Sequence, residues 1–504
     1  MDLRTRVLQS QMPDPDDAPV WINDELHAGN PYLHGFYAPV MTEVTADDLE
    51  VEGTIPADMY GAYYRQSPNP RFRPKFDHHF FDGDGMVYGI YFRDGKVSFS
   101  RKYVKTEVLM DDINGVATTR NGMMAEFDLR DAEARGYEEV RNPDYVRDTA
   151  NTTLNIHNGK LITGWYNAGA VYELDPVTLD TKGLQDFGGS LRTTLNAHPK
   201  TDMRTGELIG YDYADFESFY TYYVWDKHGA LKHVARIDLP GPRLPHDITI
   251  TENYSLLHDW PFFHDPDMLK SIGRRVVTFK PDMPSRIGVL PRYGTQDQVK
   301  WFEFKPGYVL HMVNAWEEGD WIIMDGCMQP DPRIKRDPAE GPLASMLAYM
   351  RVKSHLYRWR MNVRTGETSE ESLDDLNVEF CLPDVDLYGQ KTRYSYHQHI
   401  PLEAKTLIFT DLVKYDHETM KREMVSYGDG WLGSESAFAR STNGGAEDNG
   451  YVVTICTNLE TYASECWVYA AQDIQAGPIA KVKLPSRCGP GFHATWVQGE
   501  HIWG

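Results

Sequence analysis

The chain of 504 residues carries 51 Lys and Arg against 74 Asp and Glu, which gives a formal net charge of −23, and 12% of its residues are aromatic. The negative charge excludes nucleic acid and anionic membrane surfaces as main partners, because both attract clustered cations. The aromatic content excludes a disordered chain, and the length allows a core large enough to need no disulfide or zinc support. The composition therefore favours a folded protein with a neutral or apolar small ligand.

The N-terminal region is polar and rich in proline, and it contains no apolar stretch typical of a secretory signal. No window elsewhere approaches the ~20 apolar residues that span a bilayer. The five cysteines are odd in number, scattered and without a CxxC spacing: they are Cys327, Cys381, Cys456, Cys466 and Cys488. This pattern is typical of buried, reduced thiols and predicts a cytoplasmic protein.

We expect residues 1–50 to form an arm packed on the body and residues 51–504 to form a single sheet-rich domain. Short runs of β-branched and aromatic residues dominate the second part and are bounded by Gly, Asp, Asn or Pro. An aromatic strand that ends at Asp or Asn, then a turn and another strand, returns at intervals of roughly 50 residues or more. The segment 223–229, Tyr-Val-Trp-Asp-Lys-His-Gly, is one example. Such a repeat predicts a β-propeller with long loops, and a large β-sandwich is the alternative.

Residues 343–352 form an apolar, Met-rich segment outside this rhythm. Its composition indicates a helix of a lid, whose apolar surface would contact a membrane from one side. Packing of the same helix on the propeller is the alternative, so peripheral membrane contact stays one of two interpretations.

We expect a monomer or a weak dimer.

Four of the 18 histidines stand beside strand-like apolar runs and far apart in the sequence: His198, His246, His311 and His493. A single histidine in such a setting is more often a hydrogen-bonded core residue than a metal ligand. In a propeller, however, the inner strands converge on one axis, so histidines from different blades can meet there without a local motif. Four neutral imidazoles suit Fe(II), Zn(II) or Cu(II), and an octahedral ion would keep one or two positions open.

Several motifs follow one another in an order that is specific in combination. Tyr-Arg-Gln-Ser-Pro-Asn-Pro at 64–70 precedes Phe-Asp-Gly-Asp-Gly-Met at 81–86. Further segments are 149–152 (TANT), 196–200 (NAHPK), 246–247 (HD), 314–318 (NAWEE), 379–380 (EF), 414–416 (KYD), 483–485 (KLP) and 491–493 (GFH). Together they cover nearly the whole chain, which resembles the carotenoid cleavage oxygenases.

The resemblance implies a fold and a chemistry. It implies an all-β, seven-bladed propeller with a lid of long loops and short helices over the axis. It also implies one Fe2+ per chain, held on the axis by the four histidines, and no organic cofactor. Family members cleave a conjugated C=C bond with O2 into two carbonyl products, so we expect a dioxygenase that binds O2 and an apolar conjugated small molecule.

The same resemblance assigns residues around the metal. Metal-bound imidazoles usually donate their second N–H to a carboxylate, and the family uses three glutamates for this purpose. Glu379 and Glu435 match two of them. The third falls at 165–167, where this chain has Trp-Tyr-Asn. Tyr166, Asn167 or a water molecule would therefore have to orient that imidazole.

Other residues are assigned to the surroundings of the metal. Segment 81–86 is similar to a turn beneath the family's substrate tunnel, so we expect Phe81 in the core or the tunnel lining. Its acidic run could instead bind calcium, but it lacks the later acidic ligands of an EF-hand. Thr152 matches the residue whose methyl group gates an open iron position, and Trp165 and Tyr103 are expected beside the tunnel. For Glu317, close to His311 in sequence, a salt bridge or a turn contact is the alternative to a role at the metal.

The substrate is less well determined. The stilbene-cleaving branch uses a Lys and a Tyr for the substrate phenol, where this chain has Trp165 and Val140. A pocket without those groups should prefer a ligand without a phenolate, so an apocarotenoid-like polyene is the first expectation. A stilbenoid or phenylpropenoid is the alternative, with Tyr103 or Tyr137 as the group that binds its phenol. A non-catalytic propeller that binds lipophilic aldehydes is the third hypothesis.

Overall fold

The computed structural model describes residues 2–74, 78–116, 122, 147–192, 194–214, 217–264 and 277–504. Within these ranges the chain is mostly β-strand. The first thirteen strands are β1 (Val44–Ala46), β2 (Val51–Gly53), β3 (Gly61–Pro68), β4 (Gly85–Arg93), β5 (Lys96–Tyr103), β6 (Thr153–His157), β7 (Lys160–Gly164), β8 (Tyr172–Leu174), β9 (Thr181–Leu184), β10 (Lys200–Asp202), β11 (Glu207–Asp212), β12 (Phe219–Trp225) and β13 (Leu231–Asp238).

The strands continue to the C-terminal end of the described chain. They are β14 (Thr249–Ile250), β15 (Tyr254–Asp259), β16 (Phe262–His264), β17 (Val277–Phe279), β18 (Ser285–Pro291), β19 (Lys300–Phe304), β20 (Tyr308–Glu318), β21 (Trp321–Gln329), β22 (His355–Asn362), β23 (Thr368–Ser372), β24 (Val378–Leu382), β25 (Tyr394–His399), β26 (Asp411–Asp416), β27 (Lys421–Ser426), β28 (Trp431–Leu432), β29 (Ala437–Arg440), β30 (Gly450–Asn458), β31 (Ser464–Ala470), β32 (Pro478–Lys483) and β33 (Ala494–Gln498).

Helices are few and short in the described ranges. The α-helices are α1 (Leu3–Leu8), α2 (Glu107–Ile113) and α3 (Ala344–Ala348). The 3-10 helices are Val20–Asn23, Gly35–Tyr37, Phe80–Asp82, Gln296–Gln298, Pro338–Leu343, Val385–Leu387, Ile474–Ala476 and Gly499–His501. No helix among the described residues is both long and apolar enough to cross a membrane.

The predicted repeat unit is an antiparallel hairpin whose turn is dictated by its sequence. Strands β12 and β13 pair antiparallel. Between them the Asp226 carboxylate accepts hydrogen bonds from the amides of His228 (2.8 Å) and Ala230 (3.0 Å). Gly229 adopts φ +82°, a conformation that costs glycine nothing because it lacks a Cβ.

The hairpins assemble into seven sheets in the described part of the chain, which confirms the seven-bladed β-propeller. Blade I has the strand order β1-β5-β4-β3-β33, blade II has β6 to β9, blade III has β10 to β13, and blade IV has β14-β15-β18-β19. Blade V has β20 to β23, blade VI has β24 to β27, and blade VII has β2-β32-β31-β30-β28 with β29 also on β30. Strands β16 and β17 form a separate two-stranded sheet.

Strands from both ends of the chain close the ring. β33, near the C-terminal end, pairs with β3 of blade I, and β2, near the N-terminal end, pairs with β32 of blade VII. Every residue of β33 is buried. The first and the last blade are therefore held together by strands from opposite ends of the chain.

The N-terminal arm is tied to the propeller along its length. Val7 packs in a cluster with Ala404 and Ile408, and β1 forms the outermost strand of blade I. Residues 1–50, which we predict to form an arm packed on the body, thus include the outermost strand of blade I.

The apolar segment 343–352 lies in a lid cluster, which we define as Tyr32, Tyr37, Phe80, Leu347, Met350, Phe380, Ile400, Leu407, Phe409 and Phe492. Leu347, Ala348 and Met350 are buried. The helix therefore packs on the propeller, which is the alternative to a membrane-facing surface.

Candidate metal centre

Each of the seven blades places one polar residue at or near the start of its innermost strand. In blade order from I to VII these residues are His493, Thr152, His198, His246, His311, Glu379 and Glu435. All seven belong to the sequence predictions. The propeller thus brings together residues that are up to 341 positions apart without any local metal motif, from Thr152 to His493.

The four histidines converge on one point. Their candidate ligand atoms all lie within 4.8 Å of one another. The Nε2 atoms of His198 and His246 are 3.1 Å apart, and the ring centroids of His198 and His493 are 4.4 Å apart. His246, His311 and His493 are buried. Such a set of imidazoles can hold a single metal ion.

Backbone irregularities direct these side chains toward the axis. The β20–β21 register shifts between Val309 and Met312, around His311, and the β24–β25 register shifts between Glu379 and Leu382. Bulges of this kind re-aim a side chain and are common beside active sites. His246 has φ +61° and Phe380 has φ +53°. Left-handed conformations at non-glycine residues cost free energy and cluster at functional sites.

Three of the imidazoles are oriented through their Nδ1–H groups by blades that supply no histidine. His311 donates to the Glu379 carboxylate, and His493 lies 3.2 Å from both oxygens of Glu435. His246 donates to the main-chain carbonyl of Tyr166 at 2.9 Å. The carbonyl of residue 166, rather than its side chain, thus occupies the place of the third carboxylate.

These hydrogen bonds leave the Nε2 lone pairs free to bind a metal. Burial lowers the pKa of His198, His246 and His493 well below 6.5, so these rings are neutral. The Nε2 atom of His311 is buried and has no hydrogen-bond partner among the described residues. A buried polar atom without a partner is costly, and a metal ion at the centre would satisfy it. The residues present therefore fit a metal ion.

A buried ion pair lies next to the histidines of the centre. The Lys200 ammonium lies 2.6 Å from the Asp247 carboxylate, and both side chains are buried. Asp247 also accepts a hydrogen bond from the Met312 amide at 2.9 Å. Because Lys200, Asp247 and Met312 are each next to or two residues from a histidine of the centre, this contact fixes three blades relative to one another. Their proximity in sequence to His198 and His246 was the signal that could have identified the pair.

Aromatic rings cover the centre. The Phe81 ring stacks on Tyr166 with centroids 4.5 Å apart, and Tyr166 lies 4.9 Å from the His246 ring. Phe380 stacks on His493 at 5.0 Å. Phe492 contacts Phe81 edge-on at 4.9 Å. The rings thus line this side of the centre with apolar surface.

The other predicted site residues are placed as follows. Thr152 is buried, and its carbonyl accepts a hydrogen bond from the His493 amide at 3.3 Å. Trp165 is also buried, next to Tyr166. Tyr103 lies away from the centre, in the core of blade I, where its hydroxyl donates to the Val40 carbonyl at 3.0 Å. Tyr137 and Val140 lie outside the described residues.

Two motif residues have structural contacts. Glu317 accepts hydrogen bonds from the Thr251 hydroxyl (2.6 Å) and the Asn253 amide (2.8 Å), which is the turn contact given as the alternative. Asp84 of the acidic run pairs with Arg147, and a Cβ on Gly85 would lie 2.6 Å from the Ala150 carbonyl. The segment is thus a tight turn against the start of blade II rather than a calcium loop.

All five cysteines are free and buried. Cys327, Cys381 and His397 form a second group whose candidate ligand atoms lie within 4.8 Å. Burial raises the pKa of both thiols, and thiolates rather than thiols bind metals. We therefore interpret this group as a hydrogen-bonded part of the core.

A cavity of about 250 Å3 lies beside the centre. Its inner wall contains Tyr166, Phe262, Tyr308 and Leu310, and its outer wall contains Arg333, Lys335, Arg351 and Lys353. Tyr166 was predicted as a site residue, and Arg351 lies in the predicted segment 343–352. The other residues are ordinary strand and loop positions until the propeller assembles them.

Comparison with known proteins agrees with the geometry. The family model described as retinal pigment epithelial membrane protein matches residues 37–498. A carotenoid 9,10(9',10')-cleavage dioxygenase from Crocus sativus is 32% identical over 94% of this chain and 90% of its own length. An isoeugenol monooxygenase from Pseudomonas nitroreducens is 30% identical over 94% and 99%. The crystal structure of a lignostilbene dioxygenase from Pseudomonas brassicacearum superposes with a TM-score of 0.80, at 27% identity, over 94% of this chain and 99% of that chain.

Proposed function

Because the chain belongs to the retinal pigment epithelial membrane protein and carotenoid oxygenase family and is an oxidoreductase of the dioxygenase type, we propose that it cleaves a conjugated C=C bond with O2 into two carbonyl products. The observation that carries the proposal is the convergence of His198, His246, His311 and His493 within 4.8 Å. A cavity with aromatic walls opens beside them. This combination suits an apolar substrate next to a metal.

We propose that the single metal ion is Fe2+. Neutral imidazoles suit iron as well as zinc or copper, and the expected oxygenase chemistry distinguishes among them. Bound ferrous iron supplies the one-electron chemistry that lets O2 react with a closed-shell alkene. A ligand set of imidazoles carries no negative charge to offset that of the ion, while Glu379 and Glu435 hold two of the rings in place.

The surrounding residues would position the alkene and keep water away. Phe81 and Tyr166 form a stacked pair beside His246, and Phe380 and Phe492 belong to the lid cluster above the centre. Aromatic faces can also stabilise positive charge that develops on a conjugated chain. Trp165 and Thr152 would shape the space next to these rings.

The first candidate substrate is an apocarotenoid-like polyene. It is supported by the similarity to the Crocus sativus dioxygenase and by a cavity wall made of Tyr166, Phe262 and Leu310. The position at which a phenol-binding lysine is expected in the stilbene branch holds the buried Trp165.

The second candidate is a phenylpropenoid or stilbenoid. The cavity volume of about 250 Å3 is small for ligand sites, which are typically about 300–1,000 Å3, and this favours a compact substrate. The similarity to the isoeugenol monooxygenase and the lignostilbene dioxygenase points the same way. Tyr308 lines this cavity, whereas Tyr103 does not.

Product analysis tests the proposal. The iron-loaded protein should be incubated under 18O2 with β-apocarotenals, resveratrol, isoeugenol and 4-vinylguaiacol, with short reaction times that suppress exchange of carbonyl oxygen with water. We expect one or more substrates to give two carbonyl products, each with one labelled oxygen. Oxygen from water in one product would contradict the dioxygenase course, and absence of turnover with every substrate in metal-replete protein would contradict the proposed activity.

We also propose a cytoplasmic location. Five free, buried thiols suit a reducing compartment, because disulfides persist mainly in oxidising ones.

A further inference from the structure

The outer wall of the cavity is positively charged although the chain as a whole is strongly acidic. Four cations line it, Arg333, Lys335, Arg351 and Lys353, together with one carboxylate, Asp331. The formal net charge of the chain is −23. A concentration of cations at the opening of a low-dielectric cavity focuses the field there and attracts an anionic group.

Ion pairs neutralise only part of this charge. Asp331 contacts Arg333 at 2.5 Å and Lys335 at 2.8 Å, so one carboxylate serves two cations. Arg351 pairs with Glu340. With both carboxylates counted, two positive charges remain at the opening. Lys335 and Lys353 are exposed, so their flexible side chains can turn toward a ligand.

The inner wall holds a polar group that an all-carbon ligand would not satisfy. Tyr308 is 2% exposed, and its hydroxyl has no hydrogen-bond partner in the described part of the chain. Burial raises the pKa of Tyr308, so the hydroxyl stays protonated. A buried hydroxyl without a partner costs free energy, and a ligand oxygen would recover it.

We propose that the cavity binds a conjugated alkene that carries a carboxylate at the end remote from the metal. This inference rests on the proposed function and names the class of its substrate. The cations at Arg333, Lys335, Arg351 and Lys353 would hold the carboxylate. A second oxygen on the substrate would accept the hydrogen bond of Tyr308.

An anionic membrane surface is the competing explanation for these cations, and two observations disfavour it. Leu347 and Met350 of the neighbouring segment 343–352 are buried in the lid cluster, and Ala348 is buried as well, so these apolar residues are not presented for insertion. The charge of −23 also repels an anionic bilayer.

A binding experiment tests the inference independently of turnover. Retinoic acid and retinol share one conjugated chain and differ in the carboxylate, and their dissociation constants for the metal-loaded protein can be measured by quenching of tryptophan fluorescence. At low salt we expect retinoic acid to bind at least about fivefold more tightly, because two exposed ion pairs contribute about this much. The preference should fall as salt rises, since exposed charges are screened.

Variants locate the effect. Lys335→Gln combined with Lys353→Gln should abolish most of the preference for the acid and leave retinol binding within about twofold. Both side chains are exposed, so the fold should not change. Lys227→Gln, an exposed lysine at the β12–β13 turn, is the matched control and should retain the preference.

Each outcome has one interpretation. Equal affinities for acid and alcohol in the unmodified protein, or a preference that the double variant keeps, would overturn the inference. Binding to phosphatidylserine vesicles that the double variant loses would assign the cations to lipid headgroups and also overturn it. A lysine-dependent preference for the acid without cleavage of any alkene would support the inference and contradict the proposed function, whereas cleavage without such a preference would do the reverse.

Discussion

At the scale of single residues, the four histidines differ from every other histidine by their shared centre. Replacement of His311 by Ala removes a proposed ligand and leaves the Glu379 carboxylate without its imidazole donor. We expect the metal content to fall from about one ion per chain to a small fraction, with loss of turnover. His233→Ala, which alters a partly buried histidine on β13, should keep both. Full metal content in His311→Ala, measured by plasma mass spectrometry, would contradict the assignment.

The residues that orient the imidazoles should respond differently to truncation. Glu379→Ala and Glu435→Ala remove the acceptor itself, and we expect metal affinity to fall about 10–100-fold in each. Tyr166→Ala keeps the main-chain carbonyl that accepts from His246, so its affinity should change only a few-fold. Titration with buffered Fe2+ under anaerobic conditions measures all three. A loss in Tyr166→Ala as large as in Glu379→Ala would show that the ring, not the carbonyl, orients His246.

Residue type alone explains which of these details could be predicted from sequence. Histidine and glutamate side chains are typical metal ligands and hydrogen-bond acceptors. His198, Glu379 and their partners could therefore be identified from motif context. A backbone carbonyl is the same at every position, and the role of residue 166 therefore depends on the path of the chain after β7. Tyr103 has the residue type expected of a tunnel, but its register on β5 points it at the N-terminal arm.

At the scale of elements, the hairpins were predictable because each carries its own turn signal, as Asp226 and Gly229 show. The arrangement of the hairpins in the closed ring was not predictable, because β33 and β2 close it by pairing residues from opposite ends of the chain. The cationic wall of the cavity was missed for the same reason, since Arg333 and Lys353 lie on either side of the lid helix. Non-local contacts leave no periodic pattern in a sequence.

The closing strand should dominate stability. Trp496 in β33 is 3% exposed and packs against Phe92 of blade I. We expect Trp496→Ala to lower the free energy of unfolding by about 3–5 kcal/mol, the usual cost of emptying a large aromatic site. Val234→Ala on β13, where the side chain is 47% exposed, should change it by less than about 0.5 kcal/mol. Urea denaturation of both variants provides the comparison, and equal midpoints would contradict a special role for β33.

At the scale of the whole molecule, buried neutral histidines make the fold sensitive to acid. Burial lowers the pKa of His258 from 6.5 to about 4. The unfolded chain therefore binds a proton between these pH values while the folded chain does not, and stability falls as pH drops from 6.5 toward 4. Between pH 7 and pH 5 this one group accounts for about 2 kcal/mol.

A variant isolates that contribution. His258→Gln cannot take up the proton, so its free energy of unfolding should fall less between pH 7 and pH 5 than that of the unmodified protein. Urea denaturation at the two pH values measures the difference. An identical fall in both proteins would assign the acid sensitivity to other groups, such as His78 and His79, whose pKa values burial lowers to about 3.

The assignment of acceptors to blades has a mechanical consequence. The blades without a ligand, II, VI and VII, hold the imidazoles of blades IV, V and I, through Tyr166, Glu379 and Glu435. A blade that slid or tilted would therefore displace an imidazole of the centre or the group that orients it. A displacement of about 1 Å in a reacting group can cost about 100-fold in rate. We therefore expect a change in the packing of a blade, even far from the axis, to lower the turnover rate at the metal centre. The geometry of the metal centre therefore depends on the position of each blade in the ring.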